Sequence, residues 1–451
     1  MKHSYQKVFI CFLALSYLGI AQIFPTILIA EQLEWKIFGE LQETRHRFNA
    51  VAISSYQVLV MGGFAKKTTI RGTEGVATSL CEIIDIRQRR VLQAASTNVA
   101  HGEGVVLQTP DSNIVVLSGL DTTKSETPIC EMYNRRTGTW RVLGSLLIGR
   151  WQHAATFINS EEILVVGGRI GAVSLAEAEI FNIRTGQSSM VADFPYKNSQ
   201  GVAFLSSVAA PGKPLVIGGR TGGLGSYQTS CIYEFERQTN QWKRHSWYPG
   251  AITINHEVRL PDKRMFIVGG GKNRSVNSCL GIENAQGFAS HGNLLEARSW
   301  AETALWNNEI VFIAGGITLN GGQPSVLSET EWFDISTGYS IKGPALHFER
   351  AYFRMASLHE SGKQGEPQKI TLLAIAGVDE QFKSLASIEI LETTSTVLIA
   401  MPHEEIALYR IQQLLTSPLA IAGLMILALV LIFALLYILW QIILVKKNIS
   451  H

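Results

Sequence analysis

Cysteine is scarce: the 451 residues hold five, and no two stand in a Cys-x-x-Cys pair. Clustered histidines are missing too, so the spacing of a protein metal site is absent, and no metal or other cofactor is expected. Charge is thin, at 17% of residues with a net charge of +2. That balance argues neither for nor against a nucleic-acid partner, and none is expected. No low-complexity or charge-block segment occurs, so little disorder is expected outside loops. Catalytic signatures are also lacking. There is no G-x-S-x-G, no H-E-x-x-H, no phosphate-binding G-x-x-x-x-G-K and no G-x-G-x-x-G. His256-Glu257, His359-Glu360 and His403-Glu404 each lack a second histidine. No catalytic residue follows from a motif.

What the chain does have begins with two apolar ends. Lys2 and Lys7 precede an uncharged run of 23 residues, Val8 to Ala30. A basic start before an apolar core is a secretory pattern, and the run is also long enough to stay as an anchor. Leu419 to Val445 is 27 residues without a charge, and at ~1.5 Å per residue a helix of that length crosses a ~30 Å hydrocarbon core with some tilt. Pro418 starts it, Tyr437 and Trp440 suit an interfacial belt, and Lys446-Lys447 read as cytoplasmic. The expected organisation is therefore a signal peptide or signal anchor at 1–30, a repeat region at 31–402, a juxtamembrane linker at 403–418, a transmembrane helix at 419–445 and a cytoplasmic tail at 446–451. Membrane attachment through the C-terminal helix would leave the repeat region extracytoplasmic. The membrane is crossed once, or twice if the first segment is retained.

Between the ends, a short apolar run closing in a glycine pair recurs seven times. The pairs are Gly62-Gly63, Ser118-Gly119, Gly167-Gly168, Gly218-Gly219, Gly269-Gly270, Gly315-Gly316 and Ala376-Gly377. Steps between the second members are 56, 49, 51, 51, 46 and 61 residues. A β-rich unit with a period near 50 residues is a propeller signature. Between Arg150 and Ile183 the unit is complete. A first strand begins at Arg150, a wholly apolar second strand runs Ile163 to Val166, and Ala178 to Asn182 alternates as a third. Trp140 and Trp242 open fourth strands.

The run Arg-x-x-His, apolar-Gly-Gly, Tyr-Asn, Thr-Gly and Trp resembles the kelch repeat, and seven copies in phase extend the resemblance from about Trp35 to Met401. The resemblance implies an all-β, seven-bladed kelch-type β-propeller with four-stranded blades around a channel. Trp35 to Leu41 matches Trp140 to Leu146, so it reads as the outer strand of the last blade; Val397 to Met401 is the alternative. Some relatives are copper oxidases with a Tyr-His ligand pair, but no tyrosine here precedes a histidine. Cys81, Cys130, Cys231 and Cys279 lie in the repeat region; matching positions in different blades hold three of them too far apart to bridge, which favours free buried thiols.

One set of residues points to a ligand. Arg45, His101, Arg150 and Arg298 each stand 17 residues before the first member of their pair, and Arg350 opens the seventh unit behind an insertion. Antiparallel pairing puts the start of a first strand beside the end of the second, so Arg169, Arg220 and Lys272, just after their glycine pairs, share that face, with Asp121 and Asp379. A mainly cationic channel mouth is expected. In kelch relatives the arginine position contributes to a ligand pocket, and guanidinium groups suit carboxylates. The competing reading makes these arginines braces between blades. Trp151, Trp300 and Tyr352 are candidates to stack on a sugar or to fill the core. Two functions follow as expectations. One is a membrane-anchored recognition module for a protein or a carboxylate-bearing glycan. The other is an enzyme like the sialic-acid mutarotases among secreted kelch propellers, with Glu302 and Glu349 as acid/base groups.

Overall fold

The structure, a computed structural model, describes residues 33–65, 75–197, 202–206, 213–217, 219, 231–247, 256–260, 265–270, 278–284, 287–307, 309–319, 323–362 and 368–394. The apolar runs at 8–30 and 419–445, the linker and the tail lie outside them. Among the described residues no helix is long and apolar enough to cross a membrane.

Every regular element described is a strand; seven four-stranded antiparallel sheets hold all but a few short strands, which pair in two- and three-stranded sheets of their own. Sheet 1 holds Asn49–Ala52, Gln57–Met61, Glu82–Asp85 and Arg90–Gln93. Sheet 2 holds Val105–Gln108, Ile114–Leu117, Ile129–Asn134 and Thr139–Ser145. Sheet 3 holds Ala154–Phe157, Glu162–Val166, Ala178–Asn182 and Ser188–Val191. Sheets 4, 5 and 6 repeat the order from Val202–Ser206, His256–Arg259 and Glu302–Leu305. Sheet 7 takes Arg354–Glu360, Lys369–Val378 and Ser384–Thr394 from the end of the repeat region and its outer strand, Lys36–Glu40, from the beginning. Lys36 pairs with Ile390 and Glu40 with Ser387, so the segment after Trp35 closes the last sheet; Val397 to Met401 lies outside the described residues.

The unbroken apolar second strands follow from burial on both faces. In Gln57–Met61, Val58 and Val60 pack against sheet 7, while Leu59 and Met61 pack against sheet 2. The same sharing joins sheets 2 and 3, 3 and 4, and 5 and 6. Each such Val, Leu or Ile contributes roughly 1.5–3 kcal/mol on burial, so the core is a series of slabs between sheets.

The first strands begin later than expected. Arg150 precedes the strand Ala154–Phe157, because Gln152 adopts φ 53° and breaks the extension. Arg47 does the same in sheet 1, separating the short strand Arg45–His46 from Asn49–Ala52. Cys81, Cys130 and Cys231 are free thiols, and burial pushes Cys81 up to about 11 and Cys130 up to about 12.

Candidate functional site

The arginines of the repeat point into the protein. Arg45, Arg150, Arg298 and Arg350 are 0–1% exposed. Each meets a glutamate of its own sheet's third strand: Arg45 to Glu82 at 2.5 Å, Arg150 to Glu179 at 2.7 Å, Arg298 to Glu331 at 2.5 Å and Arg350 to Glu389 at 2.9 Å. The other end of the guanidinium donates to the carbonyl of the first member of the glycine pair. These bonds run to Gly62 at 3.4 Å, Gly167 at 2.7 Å, Gly315 at 2.9 Å and Ala376 at 2.8 Å. This explains both the pair and the spacing of 17. A left-handed residue turns its carbonyl toward the arginine across two antiparallel strands, and at Gly62 a Cβ would also stand 2.7 Å from the His101 carbonyl.

The glutamates hold the next loop in turn. Glu179 accepts from Leu147 N at 2.7 Å, Glu331 from Leu295 N at 2.6 Å, and Glu389 from His347 N at 2.6 Å. Burial lowers the affinity of Arg45, Arg150 and Arg350 for their protons while the facing glutamates hold it up, and a guanidinium keeps its charge in either case. In sheet 2, His101 takes the arginine's place, with Nδ1 2.6 Å from the Ser118 carbonyl and Nε2 3.1 Å from Glu131.

Sheets 4 and 5 lack both halves of this device. The residues 17 before their first glycines are Gly201 and Ile252. Where the other third strands carry glutamate, opposite the residue two before the glycine, these carry Tyr233 and Leu280. Tyr233 joins an aromatic cluster with Phe194 and Tyr196 at 5.3 and 5.8 Å between ring centroids. The glutamate is thus present wherever a basic residue stands at the brace position, arginine or in sheet 2 His101, and absent where none does, as a brace requires. Of the two roles open for Arg45, Arg150, Arg298 and Arg350, the geometry is that of the brace, with His101 as its counterpart.

The position two residues after each brace shares one backbone conformation. Arg47, Glu103, Gln152, Trp300 and Tyr352 all adopt φ between 50° and 53°. For non-glycine residues such a conformation costs roughly 1–3 kcal/mol, and it accumulates at functional sites. These residues form an arc. Trp300 and Tyr352 pack at 5.0 Å, and Arg47 lies 4.3 Å over the Tyr352 ring and pairs with Glu103. Arg47 N donates to the Tyr352 carbonyl at 2.9 Å, and Gln152 N to that of Glu103 at 3.2 Å. Burial opposes the charge on Arg47, but Glu103 and the Tyr352 hydroxyl outweigh it and hold the guanidinium above its usual range. Glu103 Oε2 and Gln152 Oε1 have no hydrogen-bond partner among the described residues. The signal for this arc lay only in its offset from the brace, since the five side chains share no chemistry.

The remaining expected site residues divide. Arg169 is partly exposed, bridges to Trp151 through the backbone and lies 5.1 Å over its ring. Arg220 and Lys272 lie outside the described residues. Arg45, Arg47, Arg150, Arg298 and Arg350 each face a carboxylate. Glu302, one expected acid/base group, is buried and ion-paired to Arg354 at 2.5 Å; Glu349 is exposed.

No family model matches the chain. Kelch-like protein 7 of Rattus norvegicus is 29% identical over 117 residues, 26% of this chain and 19% of that protein, and Kelch-like protein 7 of Mus musculus matches to the same extent. The chain is a kelch-repeat β-propeller. The match spans about a fifth of the length of these curated relatives. The propeller also aligns with the solved structure of YjhT at 16% identity and a TM-score of 0.49, covering 66% of this chain and 98% of that one.

Proposed function

We propose that this kelch propeller is a seven-bladed, membrane-anchored recognition module that binds a protein partner on the face carrying the glycine pairs. The observation that carries the reading is the strained arc Trp300–Tyr352–Arg47–Glu103–Gln152, held by braces directly beneath it. A second feature favours that face being open. Sheet 7 runs so that Lys36 and Thr394 stand at the end opposite Gly377, and the sequence leads from there to both apolar runs. A carboxylate-bearing glycan would rely on Arg169, Arg220 and Lys272, since the buried arginines are engaged. The second reading, a sugar-acid-processing enzyme, is favoured by Glu103, whose buried Oε2 has no hydrogen-bond partner among the described residues.

The test is photocrosslinking in the native membrane. A crosslinker at Gln152 or Trp300 is expected to give a discrete adduct, and one at Ser112 or Arg136, on the opposite face, none. Adducts only from the opposite face would overturn the assignment. Acceleration of sialic-acid anomerisation by the purified protein, lost in Glu103→Gln, would favour the enzyme.

A further inference from the structure

The face carries two copies of one surface feature on neighbouring sheets. Leu295-Glu296 lies in the loop entering sheet 6, and Phe348-Glu349 in the loop entering sheet 7. Leu295 is 57% exposed and Phe348 39%, and both glutamates beside them are exposed. Their backbone is fixed from below. Leu295 N and Glu296 N donate to Glu331 at 2.6 and 3.1 Å, and His347 N and Phe348 N to Glu389 at 2.6 and 3.4 Å. A partner therefore meets apolar side chains on chain that is already ordered, which lowers the entropic cost of docking.

The two loops belong to one continuous surface. Arg350 N donates to the Leu327 carbonyl at 3.0 Å and Leu346 N to that of Ser328 at 2.9 Å, joining the loop of sheet 7 to the long loop of sheet 6. Ile317 and Val326 share a cluster with Val378 and Phe382 beneath it. Across the four loops at 294–297, 315–329, 343–349 and 377–383, the described acidic side chains are Glu296, Glu329, Glu349, Asp379 and Glu380. Against them stand one lysine, Lys383, and His347, which contacts Glu389 at 2.9 Å. The patch is thus apolar at two raised points and acidic around them.

We infer that this rim of sheets 6 and 7 docks a basic protein segment in which lysine or arginine flanks large apolar residues. The inference rests on the recognition reading above and names the partner's chemistry. Opposite charges steer such a segment to the rim, and burial of Leu295 and Phe348 holds it there. Anionic lipid and acidic glycan are repelled at the same place.

The experiment uses the full chain in detergent micelles and two fluorescent peptides, one of lysine and leucine and one with glutamate for each lysine. Anisotropy is read for the wild type, for Glu296→Lys/Glu349→Lys and for Leu295→Ser/Phe348→Ser. The lysine peptide is expected to bind about tenfold or more tighter than its acidic counterpart, with salt weakening it and both double variants losing about tenfold. Equal binding to the charge-reversed variant overturns the inference. Preference for the acidic peptide, abolished by Arg169→Ala, overturns the inference but leaves recognition by this face intact. Failure of both peptides, together with no adduct from Gln152 or Trp300 in the membrane, removes both.

Discussion

At the scale of single residues, His153 is in the wrong company. It stands three residues after its brace, where the repeats of sheets 1 and 7 carry Phe48 and Phe353, both fully buried. His153 is 4% exposed, and neither ring nitrogen has a hydrogen-bond partner among the described residues. Burial and the nearby Arg150 lower it to about 3, so it sits neutral and unsatisfied. His153→Phe is expected to stabilise the propeller by about 1 kcal/mol, read by urea unfolding at pH 7. His46 is likewise lowered to about 3, by burial and then Arg47. Unfolded, each histidine takes a proton near pH 6.5; folded, it resists until about 3. The unfolded state therefore binds more protons across that window, and stability falls as pH drops from about 6.5. At pH 5 each histidine withdraws on the order of 2 kcal/mol, and His153→Phe should remove about half of the combined slope.

Much of this scale was illegible beforehand. The spacing of 17 put Arg45, Arg150 and Arg298 beside their glycine pairs, but could not say whether these guanidinium groups, or that of Arg350 behind its insertion, faced solvent or Glu82, Glu179, Glu331 and Glu389. Those glutamates were readable, since Glu82 and Glu131 follow cysteines at matching positions, yet only the register of the third strand shows that they meet the arginine. The left-handed arc was hidden because φ is set by packing beneath it. Arg47, Glu103, Gln152, Trp300 and Tyr352 have no propensity in common for that conformation.

At the scale of elements, the repeat was plain in the sequence. Apolar second strands buried on both faces give unbroken runs, and the likeness of Trp35–Leu41 to Trp140–Leu146 anticipated the closing strand. That strand is anchored by Trp35, which is 1% exposed and donates Nε1–H to the Pro344 carbonyl at 3.1 Å. Trp35→Ala should destabilise by about 3–5 kcal/mol, because it empties a core site and frees the strand that ties the beginning of the chain to its last sheet. A thermal midpoint unchanged from wild type would contradict that role. Sheets 4 and 5 lack the Arg–Glu brace, so hydrogen exchange in Cys231–Glu236 and Ser278–Asn284 is expected to be faster than in Ala178–Asn182 and Thr330–Asp334. Equal protection would mean that other packing, such as the aromatic cluster around Tyr233, replaces the brace in full.

At the scale of the whole molecule, the braces make the face and the fold one object. The same glutamates that neutralise the arginines fix the loops that present Leu147, Leu295 and Phe348, so recognition by this face depends on charges no partner touches. A buried ion pair adds little net stability over a well-packed apolar pair, but losing one member leaves an uncompensated charge and costs about 3–5 kcal/mol. The most direct measurement is a double-mutant cycle on Arg298 and Glu331 by urea unfolding of the purified protein. Arg298→Ala and Glu331→Ala are each expected to lose about 3–5 kcal/mol, with the double variant losing much less than their sum. Single variants that keep wild-type stability, with Arg298→Ala instead losing partner binding, would contradict the brace and return the arginines to the ligand.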